Sequence, residues 1–401
     1  MLRSEIKEEA SKCNNCPNHP CSEKCALGMV PGVFINKFLE GKVEESINYM
    51  YSVNPFVKTC GLLCPSNLCN ESCIHKKLNR QLNIPKLQYE IASQVEYTFP
   101  IDKIPLNGYN VDIIGGGICG LSAVWKALTL GYTVNLYEKS DKLGGKINLI
   151  PDFRFNKTIF KEECDKFLNN DRVRIHLNTS KTVKEYMDER KTGVFANVSC
   201  RKPLKLQIKG KDYGLMYDAL LKMTRSDILN EVKSEYSKSI VIIGGGEVAA
   251  DCALYLRKQL AITTIPITLL VRKGFSDLKV SKDTLFDLYS NKIDILTGST
   301  PLEIEKRQEE QIIYVDRTHY TKEVGNKPSY DAPIEAIRSN LIVYAIGDSV
   351  TNFNYSELHD CESKGIIIQH SFDRAELVPE AINEGIKLMK KYNDLIRYKI
   401  L

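Results

Sequence analysis

Cysteine residues are concentrated near the amino end of this chain. Eight of its 13 cysteines lie between positions 13 and 73 and form two quartets, which are Cys13, Cys16, Cys21, Cys25 and Cys60, Cys64, Cys69, Cys73. Such short spacings bring several thiolates together without long-range folding, as a metal or iron–sulfur centre requires. The remaining cysteines stand singly and are interpreted as small core residues: Cys119, Cys164, Cys200, Cys252 and Cys361.

Three chemistries fit these quartets: disulfides, two structural zinc sites and two [4Fe–4S] clusters. The N-terminal segment MLRSEIKEEASK has no apolar stretch typical of a secretory signal, so we expect a cytoplasmic protein, in which disulfides are rare. The sequence contains no run of 18 apolar residues, so no membrane span is predicted. A net charge of +5 gives no reason to expect nucleic-acid binding. The cysteine spacing alone does not separate zinc from iron.

The elements around the quartets are predicted to be helical. Val33, Phe34 and Phe38 are spaced for one helix face, and Val43 with Ile47 for another, while Gly41 indicates a break between two short helices. Residues 1–100 therefore read as a small α-helical domain without a strand pattern.

A dinucleotide fingerprint follows at 111–120, VDIIGGGICG. A short apolar strand leads into Gly115, Gly117 and Gly120 and then into a helical pattern, and the next strand ends at Glu138, about twenty residues on. In this pattern the glycines permit a tight turn, backbone approach to a pyrophosphate and close helix–strand packing, and the acid binds ribose hydroxyls.

A second fingerprint occupies 240–252, IVIIGGGEVAADC, with Gly244, Gly246 and Ala249 in the three positions. Its following strand ends in Arg272 and Lys273 instead of an acid, which suits the 2′-phosphate of NADP; a solvated turn is the alternative reading. Two fingerprints indicate two dinucleotides, by the usual division FAD first and a nicotinamide cofactor second. A flavin beside clusters makes an electron path, and this favours iron over zinc.

The predicted fold class is α/β, with an N-terminal α-helical Fe–S domain followed by two Rossmann-like dinucleotide-binding domains. We place the Fe–S domain at 1–100, the FAD domain at 101–225 and 348–401, and the NADPH domain at 226–347. The segment 342–348, IVYAIGD, predicts a buried strand, and 376–400 predicts a terminal amphipathic helix. No constellation for hydrolysis is present, so we name no catalytic side chain.

The chain resembles the glutamate synthase small subunit and the N-terminal half of dihydropyrimidine dehydrogenase. The stretches that carry the resemblance are CNNCPNHPCSEKC, NPFVKTCGLLCPSNLC, NIPKLQYEIA and VRKGFSDLKV. The resemblance implies one cluster on Cys13, Cys16, Cys21 and Cys73. It implies a second cluster on Cys25, Cys64, Cys69 and the amide oxygen of Gln88, with Cys60 outside the ligand set.

The resemblance also implies the cofactor contacts. FAD would lie at the first fingerprint with Glu138, Gly145 and Arg154. NADPH would lie at Gly246, Glu247, Arg272, Lys273, Lys279 and Ala345 to Gly347, where Lys279 replaces an arginine and acts as a point charge.

The implied activity is electron transfer from NADPH through FAD and two [4Fe–4S] clusters to a separate catalytic subunit or to an acceptor such as ferredoxin. One departure from the family favours a different reading. Where the family has a Phe-Ala-Gly-Gly-Asp turn at the flavin, this chain has GIIIQHSFDRAELVPEAINEG, with Asp373 as a partial substitute. The alternative is a relative that has lost its flavin and acts as a docking or assembly subunit.

Overall fold

The structure, a computed structural model, describes residues 3–65, 68–78, 82–196, 202–232, 238–308, 310–317, 334–349, 355–369 and 377–398. Its internal contacts divide the chain into two compact units. Unit 1 contains residues 1–148, 155–200 and 351–401, and unit 2 contains residues 149–154 and 201–350.

The described part of the cysteine-rich head is helical, as its sequence pattern predicts. Its α-helices are α1 (Arg3–Ser11), α2 (Pro31–Leu39), α3 (Val43–Val53), α4 (Val57–Leu63) and α5 (Ile84–Ala92). Gly41 separates α2 from α3 with a φ of 81°, a left-handed conformation that glycine adopts readily, so the predicted break is confirmed. Phe34, Phe38 and Met50 are fully buried in the core that these helices share.

Strands and helices alternate through the remaining chain, in the manner of parallel α/β folds. The strands are β1 (Asn110–Ile114), β2 (Thr133–Tyr137), β3 (Val173–His176), β4 (Gly193–Phe195), β5 (Lys202–Pro203), β6 (Leu215–Met216), β7 (Ile240–Ile243), β8 (Ile267–Leu270), β9 (Asp294–Leu296), β10 (Thr300–Arg307), β11 (Glu310–Asp316), β12 (Ile334–Ser339), β13 (Leu341–Tyr344), β14 (Asp348–Ser349) and β15 (Ile366–Ile368). The helices are α6 (Ile118–Thr129), α7 (Lys157–Leu168), α8 (Val183–Asp188), α9 (Tyr217–Leu220), α10 (Arg225–Glu231), α11 (Glu247–Leu254), α12 (Lys282–Ser290), α13 (Tyr355–Ser363) and α14 (Val378–Arg397).

Unit 1 is built on a parallel sheet in the order β15-β4-β1-β2-β3. In the β1–β2 register Ile114 lies opposite Tyr137, so both strands end at the same edge. Strands β4 and β15 are buried along their whole length, as expected for strands covered on both faces. The chain leaves this sheet after β4 and returns for β15, which makes unit 2 an insertion in the sequence of unit 1.

Unit 2 has its own parallel sheet in the order β6-β13-β7-β8-β9, and an antiparallel sheet of β10, β11 and β12. Strand β6 pairs with β13, so residues 201–225, which the sequence assigned to the first dinucleotide domain, lie in unit 2. Together the helical head and the two parallel sheets confirm the predicted fold class.

The terminal helix α14 packs against α6 at very short range. A Cβ on Gly385 would lie 1.9 Å from the carbonyl oxygen of Cys119, so only glycine permits this helix crossing. The contact fixes α14 on the helix that follows the first glycine turn. Among the described helices, none combines the length and the apolar character that a bilayer crossing requires.

Candidate functional site

The structure brings Cys13, Cys16, Cys21 and Cys73 together although 52 positions separate the last two. All four line one cavity in the head, and each is partly buried. Burial raises the pKa of Cys21 to about 11, and negative charge on Cys13 or Cys73 raises it further. Burial likewise raises the pKa of Cys13, with smaller contributions from Cys16 and Cys73. Thiolates crowded in this way need a cationic centre to stabilise them, which is the chemistry of an iron–sulfur ligand set.

A second group of sulfur atoms lies around the end of α4. Burial raises the pKa of Cys69 to about 12, and the charges of Cys64 and Cys25 raise it further, so these three thiols are electrostatic neighbours. Cys60 is fully buried one helical turn before Cys64. The Cys60 thiol donates a hydrogen bond to Cys64, which lowers the pKa of Cys64 and raises that of Cys60.

The amide of Gln88 lies on α5, which packs tightly against α4. A Cβ on Gly61 would lie 2.9 Å from the backbone nitrogen of Tyr89, so glycine at this position allows the close approach of the two helices. The Gln88 Nε2 group donates to the carbonyl oxygen of Val57 at 2.7 Å. This bond fixes which end of the amide faces α4, and no described residue donates to Oε1, so that oxygen can serve as a ligand.

These donor groups fit iron–sulfur clusters better than single metal ions. Among the described residues, no three His, Cys, Asp or Glu side chains converge as the ligands of one ion do. A [4Fe–4S] cluster has a separate iron for each thiolate, so its ligands stand further apart than the four that surround one zinc ion. The cavity is lined by the thiols of the first four cysteines together with the imidazoles of His19 and His75.

The first glycine turn joins β1 to α6 and leaves open space in front of Gly117. A Cβ on Gly117 would meet no described atom within 4 Å, whereas one on Gly120 would lie 1.8 Å from the carbonyl oxygen of Gly115. Gly120 therefore allows the helix to pack on the strand, and Gly117 allows a ligand to reach the backbone. Gly145 approaches the same turn, since its Cβ would lie 3.1 Å from the Cα atom of Gly117.

Glu138 follows β2 and is buried beside this turn, with 7% of its surface exposed. Its Oε2 accepts the N–H of Gly116 at 2.6 Å, and its Oε1 accepts the hydroxyl of Ser140 at 2.7 Å. The two hydrogen bonds hold the carboxylate at the sheet edge, where a ribose would lie if the pyrophosphate occupied the helix terminus.

The second glycine turn repeats this geometry in unit 2. A Cβ on Gly246 would meet no described atom within 4 Å, and one on Gly244 would lie 2.3 Å from the carbonyl oxygen of Ala345. The backbone N–H of Lys279 donates to the carbonyl oxygen of Gly245 at 2.9 Å, as that of Gly144 donates to Gly116 in unit 1 at 2.8 Å. The two turns are thus built alike, each flanked by a returning strand-like segment.

Basic residues lie at the outer edge of the second turn. Arg272 and Lys279 are exposed and Lys273 is half-buried, and within the described residues none of the three forms an ion pair with a carboxylate. Gly347 follows β13 with a φ of 105° and an open space in front of its Cα, in which a Cβ would meet no described atom within 4 Å. This edge of the sheet therefore offers cationic groups and open backbone to an anionic ligand.

Arg154 and Glu247 form a polar network in unit 2. The Arg154 guanidinium pairs with Asp251, with Glu247 at 3.1 Å and with the hydroxyl of Thr284 at 3.0 Å. Glu247 also accepts the backbone N–H of Ser281 at 2.6 Å. The structure therefore pairs Arg154 with acidic side chains of α11 in unit 2, and its contact with FAD stays a prediction.

Two buried polar groups that contact or lie in the head were missed by the sequence reading. Glu163 on α7 is fully buried, and the His75 imidazole is buried at the wall of the first cysteine cavity. Neither belongs to a motif, and only the tertiary packing shows them. Asp373 and Cys200 lie outside the described residues.

The thiol-lined head and the two glycine turns define an oxidoreductase that combines iron–sulfur and dinucleotide chemistry. Residues 109–375 match the family described as pyridine nucleotide-disulphide oxidoreductase, to which the chain belongs. Residues 1–98 match the family described as dihydropyrimidine dehydrogenase domain II, 4Fe-4S cluster. The protein is an NAD(P)H-dependent oxidoreductase with an iron–sulfur domain and a flavoprotein fold, and the family resemblance found in the sequence is confirmed.

Curated relatives agree with this assignment. The chain is 26% identical over 309 residues to the NAD-dependent dihydropyrimidine dehydrogenase subunit PreT homolog of Salmonella typhi, covering 74% of this chain and 72% of that protein. It is 23% identical over 275 residues to the glutamate synthase [NADPH] small chain of Mycobacterium tuberculosis, covering 64% of this chain and 56% of that protein.

Solved structures share the fold. FprA of Mycobacterium tuberculosis in complex with NADPH superimposes with a TM-score of 0.56 at 14% identity, covering 73% of this chain and 86% of that one. A 2-naphthoyl-CoA reductase superimposes with a TM-score of 0.54 at 18% identity, covering 89% of this chain but only 48% of the longer one. At these identities the likeness establishes the fold alone.

Proposed function

We propose that this protein takes hydride from NADPH and passes electrons through FAD and two [4Fe–4S] clusters to a partner. When bound, the flavin accepts two electrons as hydride and releases them singly to the clusters. The observation that carries the proposal is the grouping of Cys13, Cys16, Cys21 and Cys73 around one cavity, in the same compact unit as the first glycine turn.

The proposed ligand sets cross between the two sequence quartets. One cluster takes Cys13, Cys16, Cys21 and Cys73; the other takes Cys25, Cys64, Cys69 and the Gln88 amide oxygen. Support for the second set comes from the Gln88 hydrogen bond to Val57 and from the charges that Cys25 and Cys64 exert on Cys69. Since each set includes residues from both ends of the head, cluster binding would tie those ends together.

The chain's own residues would bind and orient the dinucleotides. Gly117 would admit the FAD pyrophosphate to the start of α6, and Glu138 would accept hydrogen bonds from the ribose. Gly246 would admit the NADPH pyrophosphate to the start of α11, and the open space in front of Gly347 would leave further room for the nucleotide. Arg272, Lys273 and Lys279 would bind the 2′-phosphate, which favours NADPH over NADH.

Two names among the relatives support a partner subunit. The PreT homolog is a dihydropyrimidine dehydrogenase subunit, and the other relative is a glutamate synthase small chain. We infer that this chain likewise delivers electrons to a second subunit or to an acceptor such as ferredoxin, in the cytoplasm. Co-purification from the native cell separates these two: a subunit brings its partner in fixed ratio, and a stand-alone reductase does not.

The decisive experiment measures metal and flavin in the full chain after anaerobic reconstitution. We expect about eight iron atoms and about one FAD per chain, and oxidation of NADPH with an artificial dye. In the Cys16→Ser variant about four irons should be lost, whereas Cys252→Ser, a buried cysteine of unit 2, should keep all of them. Zinc in place of iron contradicts the proposal. Full iron without flavin supports the docking-subunit alternative.

A further inference from the structure

His75 is an unpartnered polar side chain in the described interior. Only 8% of its surface is exposed, and neither Nδ1 nor Nε2 has a hydrogen-bond partner among the described residues. An imidazole always carries at least one N–H donor, and a buried donor without an acceptor destabilises the folded state. A native protein rarely keeps such a cost without a use for the group.

The position of His75 indicates that use. It follows Cys73 by two residues, on the short helical turn Ile74–Leu78, and its side chain lines the cavity that Cys13, Cys16 and Cys21 also line. Its neighbour Ile74 also reaches the cavity but is 46% exposed, so the polar imidazole is buried more deeply than the apolar side chain beside it. This reversal of the usual preference needs an inward hydrogen-bond acceptor.

The cavity wall offers sulfur as that acceptor. Four cysteines already supply the ligands that a [4Fe–4S] cluster requires, so the imidazole stands outside the ligand set as a donor to sulfur. A reduced cluster carries one more negative charge than an oxidised one, and a hydrogen bond to its sulfur stabilises the reduced state more. Such hydrogen bonds are among the protein's means of setting a cluster's potential.

We propose that His75 donates an N–H hydrogen bond to a sulfur atom of the cluster held by Cys13, Cys16, Cys21 and Cys73, and so raises its reduction potential. The inference rests on the proposed ligand set for that cluster. His75 is a positioning and tuning residue here, since it neither binds iron nor touches a substrate.

The test is an EPR-monitored redox titration of the reconstituted full chain. Removing the donor in His75→Phe should make reduction of one cluster about tenfold less favourable, a shift of about 59 mV to lower potential for one electron, with iron content unchanged. His75→Asn keeps an N–H donor and should restore most of the potential. His19→Phe alters a half-exposed ring on the same cavity and is the matched control.

An unchanged potential in His75→Phe, or an equal shift in His19→Phe, overturns the inference. Pulsed EPR of wild-type protein labelled with [15N]histidine provides a readout without substitution at position 75. A weak 15N coupling to the reduced cluster that persists in His19→Phe supports the hydrogen bond, whereas a strong coupling typical of direct ligation, or none, contradicts it. If the wild type binds no iron, the proposed function fails. If the wild type binds iron but His75→Phe leaves the potential unchanged, only the inference about His75 fails.

Discussion

The carboxylate of Glu163 accepts the backbone N–H of Thr59 across unit 1, with Oε2 and the nitrogen 2.9 Å apart. Its Oε1 accepts the N–H of Lys58 at 2.7 Å and the hydroxyl of Tyr51 at 3.0 Å. These amides begin helix α4, which carries Cys60 and ends beside Cys64. A buried acid of the Rossmann-like domain thereby holds the cysteine-bearing helix of the head.

Replacing Glu163 with alanine should destabilise the junction between the head and the first sheet. Two backbone amides and a tyrosine hydroxyl would lose their acceptor inside the protein, at a cost of about 3 kcal/mol or more. We expect a lower melting temperature of the holoprotein and faster loss of iron on dilution, both followed by absorbance. Glu162→Ala removes an exposed neighbour on the same helix and should change neither.

The sequence predicted the local parts of this architecture well. The run from β1 through Gly115 into α6, and Glu138 at the end of β2, are specified by nearest neighbours and by side-chain period, which a single sequence displays. The break at Gly41 is equally local.

Long-range pairings were beyond reach of the sequence. Glu163 lies in a stretch without a motif, and its burial depends on α4 packing against it more than one hundred positions away. Arg154 likewise carries no sign that its partners are Asp251 and Glu247. Such contacts depend on tertiary packing, which composition and spacing do not record.

Gly117 and Gly246, which both face open space, test which glycine turn binds which cofactor. Gly117→Ala should fold normally, because its φ of −75° suits alanine and the new methyl group meets no described atom, but it should lose FAD by filling the space for the pyrophosphate. Gly246→Ala should keep FAD and weaken NADPH, measured by flavin fluorescence and by nucleotide titration. Loss of NADPH binding in Gly117→Ala together with loss of FAD in Gly246→Ala would reverse the assignment of the turns. Gly120→Ala, which cannot fit, should fold poorly.

Asp251 predicts a pH dependence of stability. Burial raises the pKa of Asp251 from 3.8 to about 6, even though Arg154 beside it lowers that pKa. Because the folded-state value is the higher one, the folded protein binds the proton more tightly, and stability falls as pH rises from about 4 to about 6, by on the order of 3 kcal/mol.

The Asp251→Asn variant should remove this dependence, because the amide keeps an acceptor for Arg154 but has no proton to lose. Melting temperatures compared between about pH 4 and about pH 7 should fall less with rising pH in the variant than in wild type. Asp287→Asn, which alters an exposed ion pair with Lys258, is the control and should follow wild type. Parallel curves for wild type and Asp251→Asn would refute the assignment.

Gln88 and Cys60 compete for the fourth place at the second cluster. Our assignment expects Cys60→Ser to keep full iron, and Gln88→Ala to lose iron or to change the EPR spectrum of one cluster. Gln88→Glu supplies an anionic oxygen ligand, which stabilises the oxidised state, so the cluster should remain but be reduced at a lower potential. Iron loss in Cys60→Ser with an unaffected Gln88→Ala would make Cys60 the ligand.

Arg272 provides the test of nucleotide preference. The side chain is exposed after β8 and has no carboxylate partner among the described residues, so it is available to a phosphate. A charge-assisted hydrogen bond contributes about 1.5–3 kcal/mol, so Arg272→Ala should raise KM for NADPH by about tenfold or more and leave KM for NADH unchanged. Arg338→Ala removes a surface arginine paired with Glu310 on β11 and should affect neither. Because NADPH and NADH differ only in the 2′-phosphate, a variant that weakened both equally would show that Arg272 acts on the fold of the turn instead of on that group.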